Sequence, residues 1–172
     1  MSDKLSLLKK AHELLDDVTP LKFNCGELCG AKCCKKSSTD STENPGMLLF
    51  PQEELLINDD SFTIKESSDG KILICNGTCK RSLRPFSCRI FPFYVSISQD
   101  EKLTLKCDPR AFNTCPVSLK KKGTRHSVYF HRNVIRAVRI LMQDEDFKRE
   151  LIKTSDFCDG LYSFYRKMLQ ER

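Results

Sequence analysis

Tryptophan is absent from this chain, and no hydrophobic run is long enough to cross a membrane. Residues 1 to 18 place leucines at helical spacing but interrupt them with lysine and acidic side chains. They therefore predict neither a signal peptide nor a membrane anchor. The sequence also lacks a nucleophile elbow, a phosphate-binding loop and a dinucleotide-binding fingerprint. We expect a cytoplasmic protein with no membrane partner.

Apolar residues are scarce between Lys22 and Glu43, where only Phe23, Leu28 and the cysteines could contribute to a core. A segment that cannot bury apolar surface must be held by cross-links, through either metal or disulfides. Thiols stay reduced in the cytoplasm, so dense cysteines there indicate metal or redox chemistry. A disulfide framework is the alternative.

Cysteine is abundant, and nine of the ten cysteines lie in one stretch of the chain. The nine candidate metal ligands are Cys25, Cys29, Cys33, Cys34, Cys75, Cys79, Cys88, Cys107 and Cys115. Two pairs, Cys25/Cys29 and Cys75/Cys79, have a spacing within the range of zinc ligands. The neighbours Cys33 and Cys34 point oppositely in an extended chain, so they serve two centres or only one of them binds. Nine thiols allow two four-sulfur sites, or one site with spare cysteines.

The sequence favours an iron–sulfur cluster, with a four-iron, four-sulfur centre as the expected form, and leaves Zn²⁺ as the alternative. The candidate ligands include no histidine, and apolar residues such as Phe86, Ile90 and Phe91 crowd the later cysteines. The dipeptide Cys115-Pro116 is similar to the one that closes ferredoxin-type ligand sets. Thiolate sets serve both kinds of centre. The formal charge of +6 would fall to about +2 if eight thiolates bound two divalent ions.

Further motifs follow the first cysteine group along the chain. A Pro-Gln-Glu tripeptide begins at Pro51, Cys75 and Cys79 come next, and the run Arg84-Pro85-Phe86-Ser87-Cys88-Arg89-Ile90-Phe91-Pro92 follows. Together these motifs resemble the YkgJ-type cysteine-cluster family over residues 23 to 116. The Arg-Pro-x-x-Cys-Arg-x-Phe-Pro stretch is the most specific part.

The resemblance implies a zinc- or iron-chelating domain with shared cysteines and no settled activity. This chain departs from the family's nominal first pattern, because three residues rather than two separate its first cysteines. A related domain in a flagellin lysine methylase suggests an enzyme role by analogy alone.

Two arginines, Arg84 and Arg89, flank Cys88 in the most specific motif. We expect them to donate hydrogen bonds to thiolate sulfur or to bind an anion beside the metal. The alternative is an ordinary ion pair with Asp108 or Glu53. The tenth cysteine, Cys158, lies apart in a helical tail and is expected to pack in the core.

The hydrophobic pattern predicts an α+β fold: a small cysteine-rich metal-binding domain with two β-hairpins, an N-terminal helix and a C-terminal helical bundle. We divide the chain into an N-terminal helix (1–20), a cysteine-cluster domain (21–118) and C-terminal helices packed on it (119–172). Within this division, the first helix covers Lys4 to Asp17, and a small helix runs from Pro51 to Ile57. Three C-terminal helices are expected, the last two over residues 144–152 and 157–169.

The predicted function is metal binding, and the role of the metal is structural or redox. This function is compatible with a protein partner. One alternative is an enzyme, or an enzyme subunit, that uses the centre in methyl or electron transfer. Another is a nucleic-acid-binding module, because Arg132, Arg136 and Arg139 share a helical face downstream of three lysines. A solvated helix face explains the arginines better, so nucleic acid is not an expected partner. The three histidines, His12, His126 and His131, are expected at the surface or in helix caps.

Overall fold

The computed structural model describes residues 3–21, 30, 33, 46–75, 79–112, 114–118 and 127–170. Four helices lie in these ranges: α1 (Lys4–Glu13), α2 (Phe86–Ile90), α3 (Val128–Leu141) and α4 (Glu145–Gln170). Five strands accompany them: β1 (Met47–Leu48), β2 (Phe62–Ser67), β3 (Gly70–Cys75), β4 (Phe93–Ile97) and β5 (Leu103–Cys107). The predicted α+β class is confirmed. In the described ranges, no helix is both long enough and apolar enough to traverse a bilayer.

Both predicted hairpins form, and each belongs to a separate antiparallel sheet. The order in the first sheet is β1-β3-β2, and the second sheet pairs β4 with β5. In the first hairpin Ser67 pairs with Gly70, whose φ of +125° is a backbone conformation that favours glycine. Each returning strand ends in a cysteine, Cys75 on β3 and Cys107 on β5.

The helices near the N-terminus are shorter than the sequence predicted. The first helix ends at Glu13, although Leu15 and Val18 beyond it are still buried, because turns continue the same apolar face. The predicted helix from Pro51 is a single 3₁₀ turn, Glu53–Leu56. The spacing of apolar residues therefore identified the buried side of the first helix and of the segment after Pro51. It overestimated the length of both helices.

The prediction of three C-terminal helices was wrong, because residues 145–170 form the single helix α4. Polar residues with weak helix propensity around Ser155 suggested a break that tertiary contacts override. Ser155 Oγ accepts a hydrogen bond from the amide of Ile97 on β4, at 2.8 Å. Four residues later, Asp159 accepts hydrogen bonds from Tyr94 Oη at 2.7 Å and Ser96 Oγ at 2.6 Å. These contacts hold the middle of α4 on β4.

The main core lies between α1, α3 and the second sheet. Its central side chains are fully buried, among them Leu8, Phe130, Val134 and Phe147. Rings of Phe50 and Phe86 meet edge to face with centroids 5.7 Å apart, which joins α2 to this core. The segment that carries Cys88 is thus anchored in the main core.

Candidate metal centre

A buried carboxylate, that of Glu53, fixes the start of α2. Its side chain is fully excluded from solvent. One oxygen accepts the amide of Phe86 at 2.6 Å and lies 2.8 Å from His12 Nε2, while the other accepts the amide of Phe50 at 3.0 Å. The first amide of α2 has no partner inside its own helix, so Glu53 acts as its cap. Glu53 therefore ties α2, which carries Cys88, to α1.

A second anchor is Arg89, whose side chain is only 1% exposed. It donates to the carbonyls of Arg84 at 2.7 Å and Ser82 at 2.6 Å, and its guanidinium pairs with Asp16. The described contacts of Arg89 go to backbone carbonyls and to Asp16, rather than to sulfur, Asp108 or Glu53. Arg89 thus folds residues 82–84 around the base of α2 and joins them to the turn after α1.

A third anchor, Arg81, caps that same turn. Its guanidinium donates to the carbonyls of Leu15 at 3.4 Å, Asp16 at 3.2 Å and Val18. Carbonyls that follow a helix end lack intrahelical donors, so a guanidinium there satisfies several of them at once. The loop that follows Cys79 is consequently held against residues 15–18.

The side chain of Arg84 contacts sulfur. Its Nε donates to Cys79 Sγ at 3.2 Å, and both residues are half-buried. A cationic donor beside a cysteine sulfur is the type of contact that surrounds metal-bound thiolates. Cys88 is half-buried on α2, two residues after the amide that Glu53 caps. Cys79 and Cys88 therefore lie on one segment that the contacts of Glu53, Arg81 and Arg89 hold in place.

Cys115 packs in a small apolar cluster with Leu21, Ala111 and Val117, and Phe91 lies against this cluster. Phe91 directly follows α2, and its amide donates to the carbonyl of Ser87. The cluster thus places the end of α2, Cys115 and Leu21 close together.

Cys75 and Cys107 occupy equivalent positions in the two hairpins. Cys75 pairs with Phe62 across the first sheet, and Cys107 pairs with Phe93 across the second. Tyr162 Oη donates to the carbonyl of Cys107 at 2.8 Å, so α4 fixes the end of β5. Both thiols are half-buried.

Seven cysteines lie among the described residues: Cys33, Cys75, Cys79, Cys88, Cys107, Cys115 and Cys158. Within the part of the chain that the structure describes, no three Cys, His, Asp or Glu side chains form a group that could hold a metal ion. The candidates Cys25, Cys29 and Cys34 lie outside the described residues. The described part supplies sulfur donors of the right chemistry for soft metals but does not assemble a complete ligand set.

Cys158 is fully buried on α4, in agreement with its expected packing role. Burial, followed by the charge of Asp108, raises the pKa of this thiol to about 11. A thiol with this pKa is protonated at neutral pH, whereas a metal ligand must be a thiolate. Cys158 therefore belongs to the core and lies outside the candidate ligand set.

Sequence patterns missed the buried roles of Glu53 and His12, because both residue types usually lie at the surface. His12 is 8% exposed instead of lying on the surface. A weak signal was available, since Glu53 lies between the apolar runs 47–50 and 55–57.

The structure does not describe His126, while His131 is half-buried on α3. The exposed face of α3 carries Arg132, Arg136 and Arg139, as a solvated helix face would.

Comparison of the chain with protein-family models, curated proteins and solved structures finds no match. The resemblance to the YkgJ-type family remains a prediction that rests on its motif residues. Two of those motifs are in contact: the Pro51-Gln52-Glu53 tripeptide supplies the carboxylate that caps the helix of the Arg-Pro-x-x-Cys-Arg stretch.

Proposed function

We propose that this chain is a cytoplasmic metal-binding protein of the YkgJ type whose cysteine thiolates hold an iron–sulfur cluster or zinc. The contact between Arg84 and Cys79 Sγ carries the proposal. A half-buried guanidinium beside this sulfur would offset the negative charge of a metal-bound thiolate. In a reducing compartment cysteine thiols resist oxidation and can bind metal.

The arrangement around α2 supports a preformed half-site. Cys79 and Cys88 lie on a segment that Glu53 holds through the amide of Phe86, and that Arg81 and Arg89 hold through Asp16. Ligands on a rigid support lose little conformational entropy when metal binds. Cys79 and Cys88 are therefore the ligands that this proposal assigns first.

The remaining ligands would be Cys115 and cysteines that follow Leu21 in the sequence. Leu21 is a member of this cluster, and it precedes Cys25 by four residues in the sequence. A four-sulfur site usually combines close pairs from separate segments. Cys25 and Cys29 form such a pair, and Cys115 lies beside Leu21 in the same cluster. The bound group would join these segments and fix them relative to α2.

Metal analysis of anaerobically purified protein tests the proposal. Elemental analysis should find iron or zinc at one or more atoms per chain. An iron–sulfur centre should also add broad visible absorption that disappears on exposure to air or chelator. Stoichiometric zinc in a colourless anaerobic sample would assign the zinc form. A chain that lacks both metals after anaerobic purification and reconstitution would refute the proposal.

A further inference from the structure

The second half of α4 carries an apolar stripe that lies outside the core. Phe157, Leu161, Phe164 and Met168 recur at intervals of four, three and four residues. Phe157 is 55% exposed, Phe164 56% and Met168 47%, while Leu161 is half-buried. Every described side chain from Ser163 to the end of α4 is exposed. The fold thus extends an amphipathic helix into solvent with most of its apolar side uncovered, while the Arg110 guanidinium lies over the Phe157 ring at 5.8 Å from its centroid.

The spacing of this stripe is that of a coiled-coil seam, in which apolar residues alternate at three and four positions. The seam is symmetric about its midpoint, so it matches a copy of itself that runs in the opposite direction. In that alignment Phe157 faces Met168 of the second copy, and Leu161 faces Phe164 of the second copy. In a parallel alignment each stripe residue would instead face the same residue of the second copy, for example Phe157 against Phe157.

Charge also favours the opposite direction. Exposed Asp156 and Lys167 flank the same side of the stripe, at opposite ends. In antiparallel helix pairs the same flank of both helices meets, so Asp156 of each copy approaches Lys167 of the other. In a parallel pair opposite flanks meet, so Lys167 of one copy would lie far from Asp156 of the other. We propose that α4 pairs with α4 of a second copy of this chain to form an antiparallel homodimer.

Gly160 lies on this exposed face between Phe157 and Phe164. A β-carbon added at Gly160 would meet no atom within 4 Å, so the monomer fold does not require glycine there. Glycine within a helix costs about 1 kcal/mol relative to alanine. In the proposed dimer, the absent side chain lets the second helix approach closely.

The buried area predicts a weak dimer. An aromatic side chain covers about 150–250 Å², so the half-exposed stripe residues of two copies, with Tyr165, contribute roughly 800 Å². Stable interfaces usually bury about 1,200 Å² or more. We therefore expect monomer and dimer to exchange as the protein concentration changes.

Sedimentation velocity of the full chain, from about 1 µM to about 1 mM, tests this dimer. The wild type should shift from monomer to dimer, and Phe164→Lys should weaken the dimer by at least about 30-fold because it charges the centre of the seam. Tyr129→Lys is the matched control, since Tyr129 is 64% exposed on α3, and it should leave the dimer unchanged. A wild type that stays monomeric, or a dimer that Phe164→Lys does not weaken, would overturn the proposal.

Charge reversal tests the direction of the helices. Asp156→Lys and Lys167→Glu should each weaken the dimer, and the double variant should recover most of the wild-type affinity. Circular dichroism confirms that each variant remains folded, which is expected at exposed positions. A double variant no better than the single variants would overturn the antiparallel arrangement.

Discussion

Replacing Glu53 with alanine should lower the free energy of unfolding by about 3–5 kcal/mol. The change leaves the amides of Phe50 and Phe86, together with His12, without their buried acceptor. Each buried donor left unsatisfied costs about 1–3 kcal/mol. Urea denaturation monitored by circular dichroism measures the loss. Because Phe86 begins α2, the variant should also retain metal less tightly.

Glu54→Ala is the matched control for this experiment. Glu54 is the next residue, and its carboxylate pairs with Lys71 at 2.8 Å in a partly exposed position. The control should lose less than about 1 kcal/mol. Glu53→Gln keeps one acceptor oxygen and should give an intermediate value, which remains measurable even if Glu53→Ala does not fold. Equal losses at Glu53 and Glu54 would contradict the role of Glu53 as a buried cap.

Substitution of Cys88 by serine should reduce metal retention by more than about 100-fold, as measured by competition with a chelator. The reason is that α2 presents Cys88 from a fixed support, so another cysteine cannot replace it without unfolding that helix. Metal stoichiometry of anaerobically purified variant and wild type gives a second measure. Circular dichroism should show that the apo variant keeps its C-terminal helices.

Cys158→Ala is the control for Cys88→Ser, because Cys158 is a buried thiol on α4 whose pKa is raised to about 11. This control should keep the wild-type metal content, with a modest loss of stability from the small cavity. If Cys158→Ala lost metal and Cys88→Ser kept it, the assigned ligand set would be wrong.

Local signals were sufficient to predict both hairpins. Asp69-Gly70 closes the first turn because glycine accepts its positive φ, and alternating apolar residues set the register on both sides. The positions of Cys75 and Cys107 at strand ends followed directly from this register. The apolar periodicity of α3 located buried Val134, Val138 and Leu141, but Val128, which belongs to the same pattern, is 77% exposed.

The contacts around α2 could not be predicted, because they join residues that are distant in sequence. Glu53 meets His12 and Phe86, and Arg89 meets Asp16. Charged residues of this kind look like surface positions until the fold supplies a buried partner. The continuous helix α4 was missed for the same reason, since Ser155 and Asp159 bind partners on β4 and β5 that are distant in sequence.

X-ray absorption at the metal edge of the anaerobically purified protein tests most directly whether cysteine sulfur holds the metal. Our account predicts a first shell of sulfur atoms at about 2.3 Å from iron or zinc, four per metal in a closed site. Replacing Cys88 should remove or reduce this sulfur shell, and replacing Cys158 should leave it intact. A first shell of only nitrogen and oxygen at about 2.0–2.1 Å would contradict the account.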